Sequence, residues 1–111
     1  MVTKAVSNLN NLTVYPNPFV PYDGIDDNGK PYSDSDLFSG IIFDFGGIVS
    51  SVEIEIYTIS GRRVQKIEKD NVASIQWDGK NDDGNEVASG GYLYVIKSSG
   101  DKKTGKLAII R

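Results

Sequence analysis

The sequence contains neither cysteine nor histidine among its 111 residues. Disulfide bonds, thiolate nucleophiles and zinc sites built from cysteine or histidine are therefore excluded. A histidine general base is excluded for the same reason, which removes the usual nucleophile–base pairs of hydrolytic enzymes. These absences argue against an enzyme and direct attention to structural and binding roles.

Long apolar runs are also missing, and none approaches the length of a membrane-spanning helix. Residues 1–4 are not followed by the hydrophobic region of a signal peptide. If the protein is exported, we therefore expect its export signal to lie upstream of this chain.

Charge is small in total and unevenly distributed, with a formal net charge of −3. Residues 1–55 hold two basic and eight acidic side chains, a balance of −6, whereas residues 56–111 hold ten basic and seven acidic ones, a balance of +3. Nucleic-acid-binding domains are usually strongly basic. No nucleic-acid partner is therefore expected.

Short runs of Val, Ile, Tyr and Thr between glycine-marked turns predict an all-β fold. In the clearest run, Val52, Ile54 and Ile56 alternate with Glu53 and Glu55, a period of two that is typical of a half-buried antiparallel strand. We predict a linker at residues 1–10 and one domain at 11–111. The predicted strands are 11–15, 40–45, 52–58, 63–68, 73–77, 91–98 and 103–110. About seven short strands without a helical pattern predict an immunoglobulin-like antiparallel β-sandwich.

The single tryptophan, Trp77, is the predicted anchor of the core, packed with Tyr92 or Tyr94. Gly61 is predicted to form the tight turn after Ser60, because that turn requires a positive φ. Asp78 and Gly79 are predicted to form a further turn directly after the tryptophan.

Asp78, Asp82 and Asp83 have two interpretations. Two carboxylates held across a cleft can hydrolyse a glycosidic bond. The Asp78-Gly79 and Asp83-Gly84 pairs are, however, typical turn formers whose carboxylates bind nearby backbone N–H groups. The turn interpretation is strongly favoured.

Five motifs, in a fixed order, carry a resemblance that covers residues 14–111. They are Val14-Tyr-Pro-Asn-Pro-Phe19, Ile56-Tyr-Thr-Ile-Ser-Gly-Arg-Arg-Val64, Trp77-Asp-Gly followed by Asp83-Gly, Val87-Ala-Ser-Gly-Gly-Tyr-Leu-Tyr94 and Lys106-Leu-Ala-Ile-Ile-Arg111. Together they resemble the immunoglobulin-like domain of the flagellar hook-capping protein family and the related C-terminal sorting domain of the type IX secretion system.

The resemblance implies a non-catalytic domain at the C terminus of an exported bacterial protein, secreted or held at the cell surface. In the sorting branch, such a domain follows upstream domains of the same polypeptide and is recognised by a secretion-machinery receptor. The hook-cap branch implies instead a structural or assembly module. The acidic segment at residues 23–36 is longer and more charged than the common form of these domains.

The last predicted strand has a cationic flank formed by Lys102, Lys103, Lys106 and Arg111. Lysines on an edge strand deter unwanted pairing with other chains. They can equally present a recognition signal, read by strand addition. These two interpretations are compatible. The recognition interpretation is based on the family resemblance rather than on the charge.

The acidic loop at residues 20–37 offers weak calcium candidates, namely Asp23, Asp26, Asp27 and Asn28. Their oxygens suit calcium, but the ligand order of an EF-hand loop is not met. No cofactor is expected, and a solvated acidic loop is the favoured interpretation.

Aromatic residues offer a last alternative, an accessory carbohydrate-binding module. Most of them are expected in the core, which leaves Tyr22, Tyr32 and Tyr57 as candidates for exposed, sugar-stacking rings.

Overall fold

The computed structural model of the chain describes residue 9 and residues 11–111. Its five strands are β1 (Thr13–Tyr15), β2 (Ile41–Thr58), β3 (Arg63–Trp77), β4 (Gly90–Ser98) and β5 (Asp101–Ile109). Every pair of neighbouring strands is antiparallel. A short 3-10 helix at Asp26–Asn28 lies in the loop between β1 and β2. The predicted all-β, antiparallel class is confirmed.

Strands β2 and β3 are long and pass through both layers of the fold. The first half of β2 lies between β1 and the end of β3, and its second half lies between the start of β3 and β4, with β5 beyond β4. Gly46, at a φ of +74°, and a register shift between Asp44 and Val49 mark the bend in β2. A Cβ on Gly46 would come within 2.7 Å of the Asn11 Cβ, so the bend requires glycine both for its backbone and for space.

The seven predicted strand segments all overlap strands, but the structure joins them into five. Segments 40–45 and 52–58 form β2, and segments 63–68 and 73–77 form β3. The Gly46-Gly47 pair and the polar residues 69–71 predict strand ends, yet both strands continue through these positions. The two long strands keep most of the hydrogen bonds between them across the bend. This pairing of β2 with β3 cannot be predicted from local glycine and polar residues.

The core lies between the two layers that this bend creates. Phe43, from the first half of β2, meets Tyr94 of β4 edge to face, with the ring centroids 5.5 Å apart. Ile54 and Ile56, from the second half of β2, are fully buried. One strand therefore supplies apolar side chains to both walls of the same core.

Leu9 is also buried, and its backbone N–H donates to Asp101 Oδ2 at 2.7 Å. The sequence prediction places this residue in a linker, but its side chain packs in the core. The remainder of the predicted linker, residues 1–8 and 10, lies outside the described residues.

The predicted acidic loop is a loop in the structure, and hydrogen bonds fasten it to the sheet. Gln76 of β3 donates to the carbonyls of Asp36 and Ser39, both at 2.9 Å. Lys30 Nζ lies 2.6 Å from the Asp36 carboxylate, and the Gly40 N–H donates to the Lys30 carbonyl at 3.0 Å. This long segment is therefore folded onto the first layer of the sandwich.

Candidate functional site

The last strand, β5, pairs with β4 along its whole length and forms one end of the sheet. Leu107 and Ile109 point into the core, whereas Lys102, Lys103 and Lys106 are exposed. The three lysines predicted as recognition residues therefore lie on the surface of the same strand.

One half of the outer β5 edge is sealed by residues 17–19, which follow β1. The Phe19 N–H donates to the Ala108 carbonyl at 2.8 Å, and the Ile110 N–H donates to the Phe19 carbonyl at 2.9 Å. The Asn17 side chain completes this ladder by donating to the Lys106 carbonyl at 3.0 Å and accepting from the Ala108 N–H at 3.1 Å. Its amide thus takes the place of a backbone peptide on the strand edge.

The other half of this edge carries outward-facing backbone groups at even-numbered residues. The alternation of an antiparallel ladder places the N–H and C=O of Lys102 and Thr104 on the same outer side as those of Ala108. The Lys102 N–H is satisfied by the Asp101 side chain at 2.9 Å. No residue within the described range hydrogen-bonds to the outer side of Thr104.

Arg111, the fourth predicted recognition residue, is engaged with the body of the domain. Its Nε donates to the Val87 carbonyl at 2.7 Å, and a terminal nitrogen donates to the Gly79 carbonyl at 3.1 Å. The guanidinium also lies 3.4 Å from the Glu86 carboxylate, and the backbone N–H donates to Ser89 Oγ at 2.8 Å. Its side chain is only 16% exposed, so the structure separates Arg111 from the three lysines.

The turns after Trp77 are built by side-chain hydrogen bonds. The buried Trp77 indole donates to the Lys80 carbonyl at 2.9 Å, and the Lys80 N–H donates to Asp78 Oδ1 at 2.9 Å. The second turn depends on Asn81 Oδ1, which accepts from the backbone N–H groups of Asp83 and Asn85 at 3.0 Å each. Asp78 therefore forms its predicted turn, whereas Asn81 rather than Asp83 supplies the side-chain oxygen in the next one.

Asp82 and Asp83 are exposed, and Asp82 lies 4.0 Å from an Arg63 guanidinium nitrogen. The Asp82 backbone N–H donates to the Val64 carbonyl at 3.0 Å, which fixes this loop against the edge of β3. Of the three aspartates, Asp78 therefore supplies a turn oxygen, whereas Asp82 and Asp83 are exposed side chains of the following turn.

Tyr92 and Tyr94 play different parts. Tyr92 packs edge to face against Trp77 with the ring centroids 6.3 Å apart, and its hydroxyl donates to the Ala88 carbonyl at 2.6 Å. Tyr94 lies across Gly105 of the neighbouring strand, where a Cβ would collide with its ring. Burial raises the pKa of the Tyr94 hydroxyl. Gly105 escapes prediction because a lone glycine in a strand is equally a sign of a bulge.

Gly61 lies in the β2–β3 turn with a φ of +96°, where a glycine is favoured. Its N–H donates to the Thr58 carbonyl at 2.9 Å, which closes the hairpin. This is the turn position predicted from the sequence.

Two of the four candidate calcium ligands, Asp23 and Asn28, bind each other within their own loop. Asp23 accepts from the Ile25 N–H and from the Asn28 side chain, both at 2.8 Å. The Asn28 hydrogen bond and then the Ile25 one lower the pKa of Asp23. Asp26 and Asp27 begin the 3-10 helix. Across residues 9 and 11–111 no group of three His, Cys, Asp or Glu side chains is placed to hold a metal ion, and calcium stays the weaker alternative to the predicted solvated loop.

The three candidate stacking tyrosines do not lie together. Tyr22 and Tyr32 line one cleft between the acidic loop and residues 78–89, with Asp78, Lys80 and Glu86 beside them. Tyr57 lies elsewhere, on β2, where its hydroxyl donates to Glu55 Oε2 at 2.8 Å. Two of the three candidate rings therefore lie in one cleft, and the third does not.

A two-layer antiparallel fold of this kind is also found among known protein families. The FlgD Ig-like domain family matches residues 33–102, which is more than half of the 111-residue chain. The chain belongs to the FlgD Ig-like domain family. This membership confirms the hook-cap resemblance and the immunoglobulin-like class. The family match ends at residue 102, so it does not include Lys103, Lys106 or Arg111.

A solved structure extends the likeness to nearly the whole chain. It is PorZ of Porphyromonas gingivalis, described as an essential bacterial surface component of the type IX secretion system. The match has a TM-score of 0.67 and 27% sequence identity, and it covers 96% of this chain but 12% of PorZ. The chain is thus similar to a domain-sized part of a much larger secretion component.

No curated protein matches the chain at a significant level. In the part of the chain that the structure describes, no helix has the length and apolar character needed to cross a membrane.

Proposed function

We propose that this FlgD-type Ig-like domain is a non-catalytic recognition module of an exported bacterial protein, used in sorting to, or attachment at, the cell surface. The observation that carries the proposal is the divided edge of β5. Exposed lysines flank its open half, and residues 17–19 hold its other half in place. The similarity to PorZ, a surface component of the type IX secretion system, also supports a role in sorting or attachment at the cell surface.

The proposed mechanism is the addition of a partner strand to the open half of this edge. The outward-facing Lys102 carbonyl and the Thr104 N–H and carbonyl would form the new ladder, because an exposed strand edge binds an extended segment through main-chain hydrogen bonds. Lys102, Lys103 and Lys106 favour an acidic partner, since charge complementarity selects partners and speeds encounter. The partner strand would be short, because the Asn17 side chain already covers Lys106 and Ala108.

Three observations support a role without catalysis. The sequence has no histidine or cysteine. The aspartates near Trp77 serve a turn or lie exposed. Arg111 is held by main-chain carbonyls and Glu86, and these contacts stabilise a loop.

The experiment is a secretion assay with residues 1–111 fused behind a signal peptide and a reporter, in a host that has a type IX secretion system. The Lys103→Glu/Lys106→Glu variant should lose most of the reporter at the cell surface, because its edge would repel an acidic strand. The matched control is Arg62→Glu/Lys69→Glu, which changes the net charge equally at exposed positions on β3 and its preceding turn.

Thr104→Pro tests the backbone part of the mechanism. Proline removes an outward N–H while leaving the ladder to β4 intact, so the domain should fold but bind its partner poorly. Equal surface display by the parent, both charge variants and the folded Thr104→Pro variant would contradict the proposal.

A further inference from the structure

A cleft of about 230 Å³ lies at one end of the sandwich, and none of the residues that line it belongs to the open half of the β5 edge. The acidic loop forms one wall through Tyr22 and Tyr32. The opposite wall includes Asp78, Lys80 and Glu86, from the loop between β3 and β4. The proposed function uses none of these five residues.

Tyr22 is an exposed ring that is held in place. The residue is 58% exposed, yet its hydroxyl donates to Glu86 Oε1 at 2.8 Å. Glu86 also pairs with Arg111, whose largely buried side chain is fixed by the Val87 and Gly79 carbonyls. A hydrogen-bonded chain thus connects an accessible aromatic face to the rigid body of the domain, and this lowers the entropy cost of stacking a ligand on it.

Tyr32 provides a second accessible ring in the same cleft. It is 39% exposed, and its ring packs against Gly40, where an added Cβ would lie 3.1 Å from Tyr32 Cδ1. Gly40 also has a φ of +69°, so a larger residue is disfavoured there. Both rings are therefore held by neighbouring groups while one side stays open to the cleft.

The polar groups of the cleft leave hydrogen-bonding capacity without a strong net charge. Asp78 uses Oδ1 for the Lys80 N–H, so its second oxygen can accept another hydrogen bond. The opposite charges of Glu86 and Arg111 pair with each other, and those of Asp78 and Lys80 balance. A ligand rich in hydroxyl groups and without net charge fits this combination better than an ion does.

From these contacts we infer that the cleft is a binding site for a neutral oligosaccharide. One sugar ring contacts both Tyr22 and Tyr32, and its hydroxyls exchange hydrogen bonds with Asp78 and Lys80. Aromatic side chains suit this task because they combine an apolar face with a polar tip. The volume of 230 Å³ lies below the ~300–1,000 Å³ of pockets for drug-sized ligands, so one ring of a longer chain occupies it at a time. Binding of one ring corresponds to a dissociation constant on the order of 1 mM.

The test is an NMR titration of the 111-residue chain with cellohexaose, xylohexaose, mannohexaose and chitohexaose. At least one of these should shift amide resonances of residues in the cleft with saturable, roughly millimolar affinity. Tyr22→Ala and Tyr32→Ala should each weaken binding about tenfold, as expected for losing an aromatic contact. Tyr22→Phe should bind more weakly than the parent but better than Tyr22→Ala, because it keeps the ring and loses the hydrogen bond to Glu86 that holds it.

Tyr57→Ala is the matched control, since Tyr57 also donates its hydroxyl to a glutamate but lies outside the cleft. It should leave the affinity unchanged. The proposal is overturned if none of the four oligosaccharides shifts the cleft resonances at 10 mM, or if Tyr57→Ala weakens binding as much as Tyr22→Ala does.

Discussion

The two halves of the outer β5 edge share one strand but differ in what covers them. Near Lys106 and Ala108, the Asn17 side chain and the Phe19 backbone complete a ladder, and Leu107 and Ile109 reach the core beneath it. Near Lys102, Lys103 and Thr104 the side chains are exposed. The sealed half is held by hydrogen bonds and core contacts, and the open half, which no other described residue covers at Thr104, is where we propose that a partner strand binds.

The nine-residue strand β5 is thus protected from unwanted strand pairing in two different ways. A covering segment removes the backbone donors and acceptors of one half. Lysine side chains leave those of the other half in place but discourage indiscriminate pairing. The second kind of protection is selective, because an acidic strand is attracted by the charges that repel others.

The largest expected difference between the two halves is in stability. Leu107→Ala, in the sealed half, should lower the free energy of unfolding by about 2–5 kcal/mol, because it removes a buried side chain and leaves a cavity. Lys103→Ala, in the open half, should change it by no more than about 0.5 kcal/mol. Urea denaturation of both variants measures the contrast, and similar losses would show that the halves are not distinct.

Arg111→Ala tests whether the end of the chain belongs to the sealed half. The variant should lose about 1–3 kcal/mol of stability, since the Val87 and Gly79 carbonyls and the Glu86 carboxylate each lose one donor. Lys106→Ala removes another cation without comparable contacts and serves as the control. Thermal denaturation should place the Arg111 variant clearly below the control, and coincident melting curves would assign Arg111 to the open surface instead.

Asn17→Ala converts part of the sealed edge into an open one. It should cost about 1 kcal/mol of stability, because two side-chain hydrogen bonds to β5 are lost. It should also promote self-association, since an uncovered edge is a template for pairing. Sedimentation velocity of this variant and of Asn85→Ala, an exposed asparagine away from β5, tests this; a monomeric Asn17 variant would contradict the role of its side chain as a cover.

The smallest expected effect is the pH dependence of stability that arises from the acidic loop. This loop is joined to the segment that covers β5 by a hydrogen bond from the Val20 N–H to the Asn28 carbonyl at 2.7 Å. The Asn28 hydrogen bond lowers the pKa of Asp23, and the Lys30 hydrogen bond lowers the pKa of Asp36, each below the ordinary value of 3.8. A lowered carboxyl pKa stabilises the fold above pH 3.8, and that contribution is lost as the pH falls through the folded-state pKa.

The corresponding measurement compares the parent with Asp23→Asn/Asp36→Asn by urea denaturation between about pH 5 and pH 2. The parent should lose slightly more stability over this interval, because the variant has no carboxylates to protonate at these positions. The effect is small because Asp23 is exposed and the Asp36 side chain is still 34% exposed, so solvent screens both carboxylates. Parallel curves would show that these carboxylates do not stabilise the loop.

Strands whose side chains alternate were predictable from the sequence. Val52, Ile54 and Ile56 are buried as the period of two requires, and Trp77 lies in the core. The Gly61 and Asp78 turns follow from their residue types, because each depends on atoms within a few positions of the chain. The immunoglobulin-like class followed from the number and spacing of such segments together with the ordered motifs.

Several features escaped prediction because their partners are distant in the sequence. Asn17 and Lys106 are 89 positions apart, and so are Phe19 and Ala108, which are joined by a backbone hydrogen bond. Leu9 is buried beside Asp101, 92 positions away, although its neighbours are polar. Arg111 resembles the lysines near it in charge alone, and only its contacts with residues 79–89 distinguish it from them.

By itself, the sequence determined the β class, the apolar faces and the tight turns, since side-chain alternation and turn chemistry act over a few residues. The tertiary structure alone decided that β2 and β3 bend through both layers and that half of the β5 edge is covered. It also placed Tyr22 and Tyr32 in one cleft and Tyr57 outside it. Each of these outcomes depends on packing between segments far apart in the chain. Local sequence patterns carry no information about which distant segment packs against a given strand.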